Sequence, residues 1–513
     1  MNSSVRTVAI VGAGFSGTTL AVNLLRLVRA QPLRIVLVER SQLTGGVAYA
    51  RRRYPYLLNV PAGRMSANAF DPGEFLAFAR RWQPSVTADD FLPRELYGEY
   101  LEASLASAQA TSAPHVELKR LCGSVIAIER AHRDRVLHLH LADGRRLSAQ
   151  TAVLALGNPS PAPLSGSEAL RGTSRYFDDP WQVAPQIRAG ETVLVAGTGL
   201  TMADTVLAGM HAGWSRVVFH VLSRHGLLPL RQTPFPQLED CDGAPLVSAA
   251  SMSLLHLFRA IRALSDHVQR GNGDWPSVIA LVRDLAPTLW RRLRSSERRR
   301  FLRHVRCYWD VHRHRLPEPI WTALNELRRS GNLQVHAGRI VAMEPAGKRV
   351  RVTWRPRGTS EMTTLSVDRV INCSGPDYDV RHTQDRLLRS LLAQGIAVRD
   401  PLGQGLVTDE TGALVGVGGR AARDIFYLGP LLRAAHWETT AVTELRAHAA
   451  RLARHLTMAG AEEGRSSSAC LRSAGRAEVA FELRHGRRWE RFASHLRAAE
   501  SECADRTNVA SRR

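Results

Sequence analysis

Residues Val8 to Gly17 (VAIVGAGFSG) constrain the fold more than any other stretch. An apolar run breaks into a G-x-G-x-x-G turn and continues with the periodicity of a helix. This order predicts a buried strand, a tight turn and a helix. Gly12 permits the turn, Gly14 lets the backbone approach a pyrophosphate, and Gly17 lets helix and strand pack closely. The phosphates then lie on the helix N-terminus, beside Phe15 and Ser16. The turn alone is a weak signal, because a glycine turn also occurs buried in unrelated α/β folds. It gains weight from Ile35-Val36-Leu37-Val38, a second apolar strand that ends at Glu39, 22 residues after Gly17. A carboxylate there is placed to accept from a ribose diol, with Arg40 following it. The unit therefore reads as a module for the ADP half of a dinucleotide.

A chain of 513 residues has room for two to four domains of roughly 100 to 200 residues each. No window approaches the ~18 uninterrupted apolar residues of a membrane span, and the first strand begins too early for a signal peptide. The six cysteines are scattered without a C-x-x-C pair, so neither a zinc site nor a dithiol centre is expected and a reducing cytoplasm is. The formal charge of +22 comes almost wholly from arginine, Lys119 and Lys348 being the two lysines. Arginine spread over a whole chain reads as compositional bias more readily than as a nucleic-acid footprint. No membrane and no nucleic-acid partner is expected, and the oligomeric state is not legible.

Beyond Glu39, Thr44 to Tyr49 and Tyr56 to Ser66 mix glycine, proline and aromatic residues as an extended loop does, and such a loop lines the crevice at the carboxyl ends of the strands. Helical patterns follow over Pro72–Arg81, capped by Asp71, and from Pro93. Val116 to Leu147 alternates as half-buried antiparallel strands. His138 and His140 share a face there, but without a third ligand they read as solvated positions and not as a metal pair. Thr151 to Gly157 returns as a buried strand ending in glycine, and Pro159 to Pro163 reads as a hinge.

Thr192 to Ala196 opens a second unit, with Gly197 and Gly199 in the turn and Leu200 and Thr201 starting the helix. Met202 stands where the third glycine belongs. Its second strand ends in Ser223-Arg224-His225 with no acid, and an arginine suits the 2′-phosphate of NADP where an acid would suit NAD. About 248–321 is helical and reads as an insertion. It ends in Trp309-Asp310-Val311-His312-Arg313-His314-Arg315, which is either an ion-paired helix end or an anion site. Val367 to Gly375 repeats the pattern of Val153 to Gly157. Asp424 to Pro430 is a short strand and glycine turn feeding a helix near Thr439–Ala449. The tail after Ala459 carries no dinucleotide feature and reads as partly disordered.

These stretches resemble the flavoproteins with two dinucleotide-binding domains, the group of flavin-containing monooxygenases, N-hydroxylases and pyridine-nucleotide reductases. More closely, the chain resembles a bacterial FAD/NAD(P)-binding family with the loop Gly46 to Ala62, the segment Trp309 to Arg315 and the end Gly429 to Thr440. The resemblance spans about Val5 to Ala449. It implies an α/β fold of two Rossmann-like domains, with an antiparallel β insertion and an inserted helical region. The implied divisions are an FAD-binding first part at 1–160, an NAD(P)-binding domain at 161–334, an FAD-binding second part at 335–455, and a basic tail at 456–513.

The resemblance implies FAD on Gly12, Gly14, Phe15, Ser16, Gly17, Glu39 and Arg40, with Leu58, Asn59, Met65, Gly157, Gly375, Gly429 and Pro430 around it. It implies NADPH, in preference to NADH, on Gly197, Gly199, Leu200, Thr201 and Arg224. Pro430 stands where the wider group usually has an aspartate for the ribityl chain, so that contact must come from elsewhere. The implied activity is a monooxygenase with a water-excluding pocket, its partners a small molecule and dioxygen. Asn59, His312, Arg313, Arg315 and Trp437 are its catalytic candidates, with Arg64 and His436 as further lining. A basic pocket suits a small anionic or heteroaromatic substrate such as urate. The alternatives are a reductase serving a protein or quinone, and a non-catalytic basic protein that retains a nucleotide.

Overall fold

The computed structural model describes residues 5–466 apart from 41–44, 51–53, 55, 132–135, 183–186, 214–215, 234–237, 239–241 and 272. The expectations for Thr44, for Cys241, Cys470 and Cys503, and for the tail beyond Ser466 lie outside the described residues.

The first unit forms as its sequence dictates. β1 (Arg6–Val11) and β2 (Leu33–Glu39) pair in parallel around the helix Phe15–Leu27. β3 (Val116–Cys122) adds a further parallel strand beside β2, correcting the expectation that antiparallel pairing begins at Val116. As an edge strand it is covered on one face, so it alternates as a half-buried antiparallel strand would. β4 (Val125–Arg130), β5 (Leu137–Leu141) and β6 (Arg146–Ala149) are the antiparallel insertion. His138 there bonds Ser148 and His140 bonds Glu129. β7 (Thr151–Leu154) then returns to lie parallel to β1 on the side away from β2.

The second sheet repeats this plan. β8 (Tyr176–Phe177), β9 (Thr192–Ala196) and β10 (Val218–Ser223) are joined by β11 (Leu333–Ala346), β12 (Arg349–Pro356), β13 (Thr363–Val367) and β14 (Arg369–Asn372), in the order β13-β12-β11-β10-β9-β14-β8. The start of β11 pairs in parallel with β10, its remainder forms an antiparallel hairpin with β12, and β14 pairs in parallel with β9. The boundary expected at 335 is therefore corrected. Residues 333–372 complete the second sheet, and the chain returns to the first only at β15 (Ala413–Val415) and β16 (Ala421–Tyr427). The boundary at 456 is corrected too, because the last helix runs Val442–Ser466 with Leu452, Ala453 and Leu456 in the core.

Six helices between Ala244 and Arg329 follow β10, and the last of them, Glu318–Arg329, packs on the second sheet. Helix Phe15–Leu27 and helix Val442–Ser466 cover one face of the first sheet, burying Ile10, Leu20, Leu24 and Ile35. Each such side chain contributes about 1.5–3 kcal/mol. The two sheets are tied by Arg94, which donates to Asp204 at 2.7 Å and to the Leu57 carbonyl at 3.0 Å. The expected crevice loop thus lies between the domains: Leu57 packs with the second core and Leu58 with a core beside the first.

Candidate dinucleotide sites and the wall between them

Both parallel sheets end their central strands in the same construction. A Cβ on Gly12 (φ +108°) would sit 2.2 Å from the Ala155 carbonyl oxygen, and one on Gly197 (φ +115°) would sit 2.1 Å from that of Cys373. The Gly12 amide donates to Val38 O and the Gly197 amide to Leu222 O, each at 2.8 Å. Gly12 and Gly197 are therefore clamped between neighbouring strands that the sequence does not show to be neighbours.

Gly14 and Gly199 are the opposite case, since a Cβ on either meets nothing within 4 Å. Each caps a helix that has no side-chain cap and no acid in its first turn. The first helical bonds are Thr18 N–H to Gly14 O and Ala203 N–H to Gly199 O. This leaves the amides of Phe15, Ser16 and Gly17, and those of Leu200, Thr201 and Met202, without a helical acceptor. An open cradle facing positive helix ends fits a pyrophosphate in both units. Gly17 is needed for packing, as its Cβ would fall 1.8 Å from Gly12 O. In the second unit Met202 is wholly buried in the core, so that helix packs through a large side chain instead.

The ribose positions differ. Glu39 ends β2 and accepts from the Ala13 amide at 2.7 Å and the Arg40 amide at 2.8 Å. Its counterpart at the end of β10 is Ser223, whose hydroxyl lies 2.9 Å from Thr198 Oγ1. Exposed Arg40 and Arg224 occupy equivalent positions, so arginine at that point does not by itself separate the units. What separates them is the acid in one and a cationic cluster in the other. Burial, then the nearby Arg357, Arg224 and Arg339 guanidiniums, hold the His225 imidazole below its ordinary value, and its Nδ1 has no hydrogen-bond partner. Guanidinium forks at a ribose position suit a phosphate. Arg339 and Arg357 carry no motif signal, because the β11–β12 hairpin brings them there.

Gly157 follows β7, Gly375 follows β14 and Gly429 follows β16, so all three turns stand at the carboxyl edges. The other candidates are distributed differently from the sequence expectation. Leu58 and Met65 are buried with Phe15 and Phe75, so their side chains hold the loop together. Asn59 is partly exposed beside them, and Arg64 is exposed. Pro430 is buried and starts the 3₁₀ turn Pro430–Ala434.

The helix Arg306–Arg313 and the segment Arg433–Thr439 meet in a wall. Glu438, 4% exposed, accepts from Arg313 Nε at 3.1 Å and from Trp309 Nε1 at 2.9 Å. Of the two readings of this helix end, ion-paired or anion-binding, Arg313 takes the first, because Glu438 already meets its charge. Trp437 is likewise not a free pocket ring: it stacks on Trp290 at 4.7 Å and edges Phe301 at 5.1 Å. Arg315 is buried over Trp275 and donates to Thr233 and to the His312 carbonyl, while the His312 ring bonds the Tyr308 carbonyl at 2.7 Å. His436 lies apart from these, against His448. Sequence reasoning missed Glu438 and Arg433, the partners that organise this wall.

Residues 9–159 match the family model described as FAD-NAD(P)-binding. A search of curated proteins finds no match. Among solved structures the chain is similar to an ornithine N-hydroxylase of Kutzneria sp. 744, at 16% identity and a TM-score of 0.59, covering 89% of this chain and 100% of that one. It is similar to the L-lysine 6-monooxygenase of Pseudomonas syringae at 18% identity and a TM-score of 0.59, covering 88% and 99%. The cadaverine monooxygenase of Erwinia amylovora aligns at 12% identity and a TM-score of 0.59, covering 94% and 99%. No helix among the described residues is long and apolar enough to cross a membrane. Two glycine turns of one construction, a family match over the first of them and likeness over nearly the whole chain give this protein the fold of the flavoproteins with two dinucleotide-binding domains.

Proposed function

We propose that the chain is an FAD-dependent, NADPH-consuming monooxygenase acting on a small molecule. The observation that carries this reading is the pair of open glycine cradles, one ending at Glu39 and the other at Ser223 beside Arg224, Arg339 and Arg357. The first suits the ribose and pyrophosphate of FAD, the second the phosphorylated ribose of NADPH. FAD would supply the redox chemistry, accepting hydride from NADPH and activating dioxygen.

The chain's own residues bind, orient and exclude water. Gly12 and Gly14 shape the first cradle, and the amides of Phe15, Ser16 and Gly17 face its phosphates. The segment after the Gly429 turn holds buried polar atoms without protein partners, Thr439 Oγ1 and Glu444 Oε2 among them. Such orphans fit a polar ring as their missing partner. Trp290, Phe301 and Trp437 close the far side with apolar surface.

The hydroxylases that share this fold support the oxygen-inserting reading over a reductase or a non-catalytic role. Those compared act, by their names, on ornithine, lysine and cadaverine, and they give no support to urate in particular. The test is the visible spectrum of the purified protein, followed by NADPH addition in air. Bound flavin that NADPH reduces, with peroxide release falling as a substrate is added, is expected. Protein without flavin, or flavin that NADPH does not reduce, would overturn the proposal.

A further inference from the structure

Arg433 is 7% exposed and has no carboxylate within ion-pair distance among the described residues. Its guanidinium lies against two rings, 3.7 Å from the Trp437 centroid and 4.8 Å from that of Tyr378. Its Nε is sealed from solvent without a partner. The Tyr378 hydroxyl takes one donor, but an aromatic face stabilises a cation without accepting from Nε. A buried guanidinium in that condition is costly unless an acceptor, above all an anion, completes it.

The acids nearest to it are already engaged. Glu438 holds Arg313 and Trp309, and Asp310 pairs with Arg306 at 3.4 Å. The next cation along the stack, Arg298, sits over Trp290 and spends its donors on the carbonyls of Trp290, Arg291 and Leu293. Arg433 thus keeps an unpartnered donor, its Nε, and a charge that no carboxylate meets among the described residues. Its place is also informative. It comes four residues after the Gly429 turn, and Tyr378 comes three residues after the Gly375 turn. Arg433 therefore stands at the junction of the two carboxyl edges, where the redox-active ends of two bound dinucleotides converge in a doubly wound pair.

From this geometry we infer that Arg433 anchors the anionic group of the substrate, a carboxylate or a deprotonated heteroaromatic ring, and that this chain does not take a purely cationic substrate such as cadaverine. The inference rests on the monooxygenase reading and narrows it to a substrate class. A guanidinium with an unpartnered Nε can recognise a planar anion through its fork of N–H donors. An ammonium group at the same place would meet a like charge.

The test titrates the holoprotein with benzoate and urate as anions, benzamide as a neutral isostere and cadaverine as a cation, read by tryptophan fluorescence and calorimetry. At least one anion is expected to bind saturably while benzamide and cadaverine bind far more weakly. Arg433→Met is expected to weaken the anion roughly ten- to hundred-fold at unchanged flavin content. Arg433→Lys keeps the charge and loses the fork, so it should fall between the two, and it serves if the Met variant does not fold. Cadaverine binding as tightly as the anions, neither anion binding, or anion affinity unchanged in both variants would each overturn the inference. So would loss of flavin with anion binding intact, which would make Arg433 a cofactor contact. These readouts do not depend on NADPH oxidation, so failure of the monooxygenase reading would be seen separately.

Discussion

The carboxylate of Glu438 lies 3.1 Å from Nε of Arg313, with side-chain exposures of 4% and 12%, and this pair joins the inserted helices to the turn that follows β16. Removing one partner leaves a buried charge uncompensated, at a cost of about 3–5 kcal/mol. Glu438→Gln and Arg313→Met should each lower the melting temperature strongly, and the double variant should lose less than the sum of the two. Additive losses in a double-mutant cycle would contradict direct coupling.

The glycines of the first loop should separate by mechanism. Gly12→Ala forces a Cβ against the Ala155 carbonyl and should destabilise the fold, whereas Gly14→Ala meets no protein atom and should leave stability unchanged while lowering flavin content. Equal flavin occupancy in Gly14→Ala and the parent, by absorbance after desalting, would show that the cradle holds no pyrophosphate.

NADPH selectivity should reside in the arginine cluster. Arg224→Glu should raise the KM for NADPH by roughly ten-fold or more and leave that for NADH nearly unchanged, since the lost contact is charge-assisted. Arg339→Glu and Arg357→Glu should act in the same direction. Equal effects on the two nucleotides would refute the phosphate assignment.

Acid should unfold the protein partly through His448. Burial, then Arg451 and His436, bring its value down to about 3 from an ordinary 6.5, so the folded state holds the ring neutral. Its contribution is complete above about pH 6.5 and is lost as pH falls from there towards 3, because the unfolded chain gains a proton that the folded chain refuses. At pH 5 the loss is about 2 kcal/mol. His448→Gln should flatten the melting temperature between pH 6.5 and 5; an unchanged slope would assign the acid sensitivity to other groups.

Much of the architecture was legible because its signals are local. The order of strand, glycine turn, helix and strand needs only neighbouring residues, and both units formed where Gly12 and Gly197 announced them. The expectation failed where covering, not pattern, decides. β3 alternates because it is an edge, and β11 to β13 alternate as a hairpin growing from the second sheet, so the boundary at 335 was misplaced.

The site divides in the same way. The sequence by itself determined the two cradles, the acid at Glu39 and its absence at Ser223, since these are set by spacing along one chain. Tertiary structure alone decided which charges are spent. Arg313 and Arg433 look alike in sequence, yet Glu438, 125 residues away, neutralises the first. The second meets Trp437 and Tyr378 and pairs with no acid among the described residues. An ion pair acts over a few ångströms of space, and no local pattern specifies which residues the fold will bring that close.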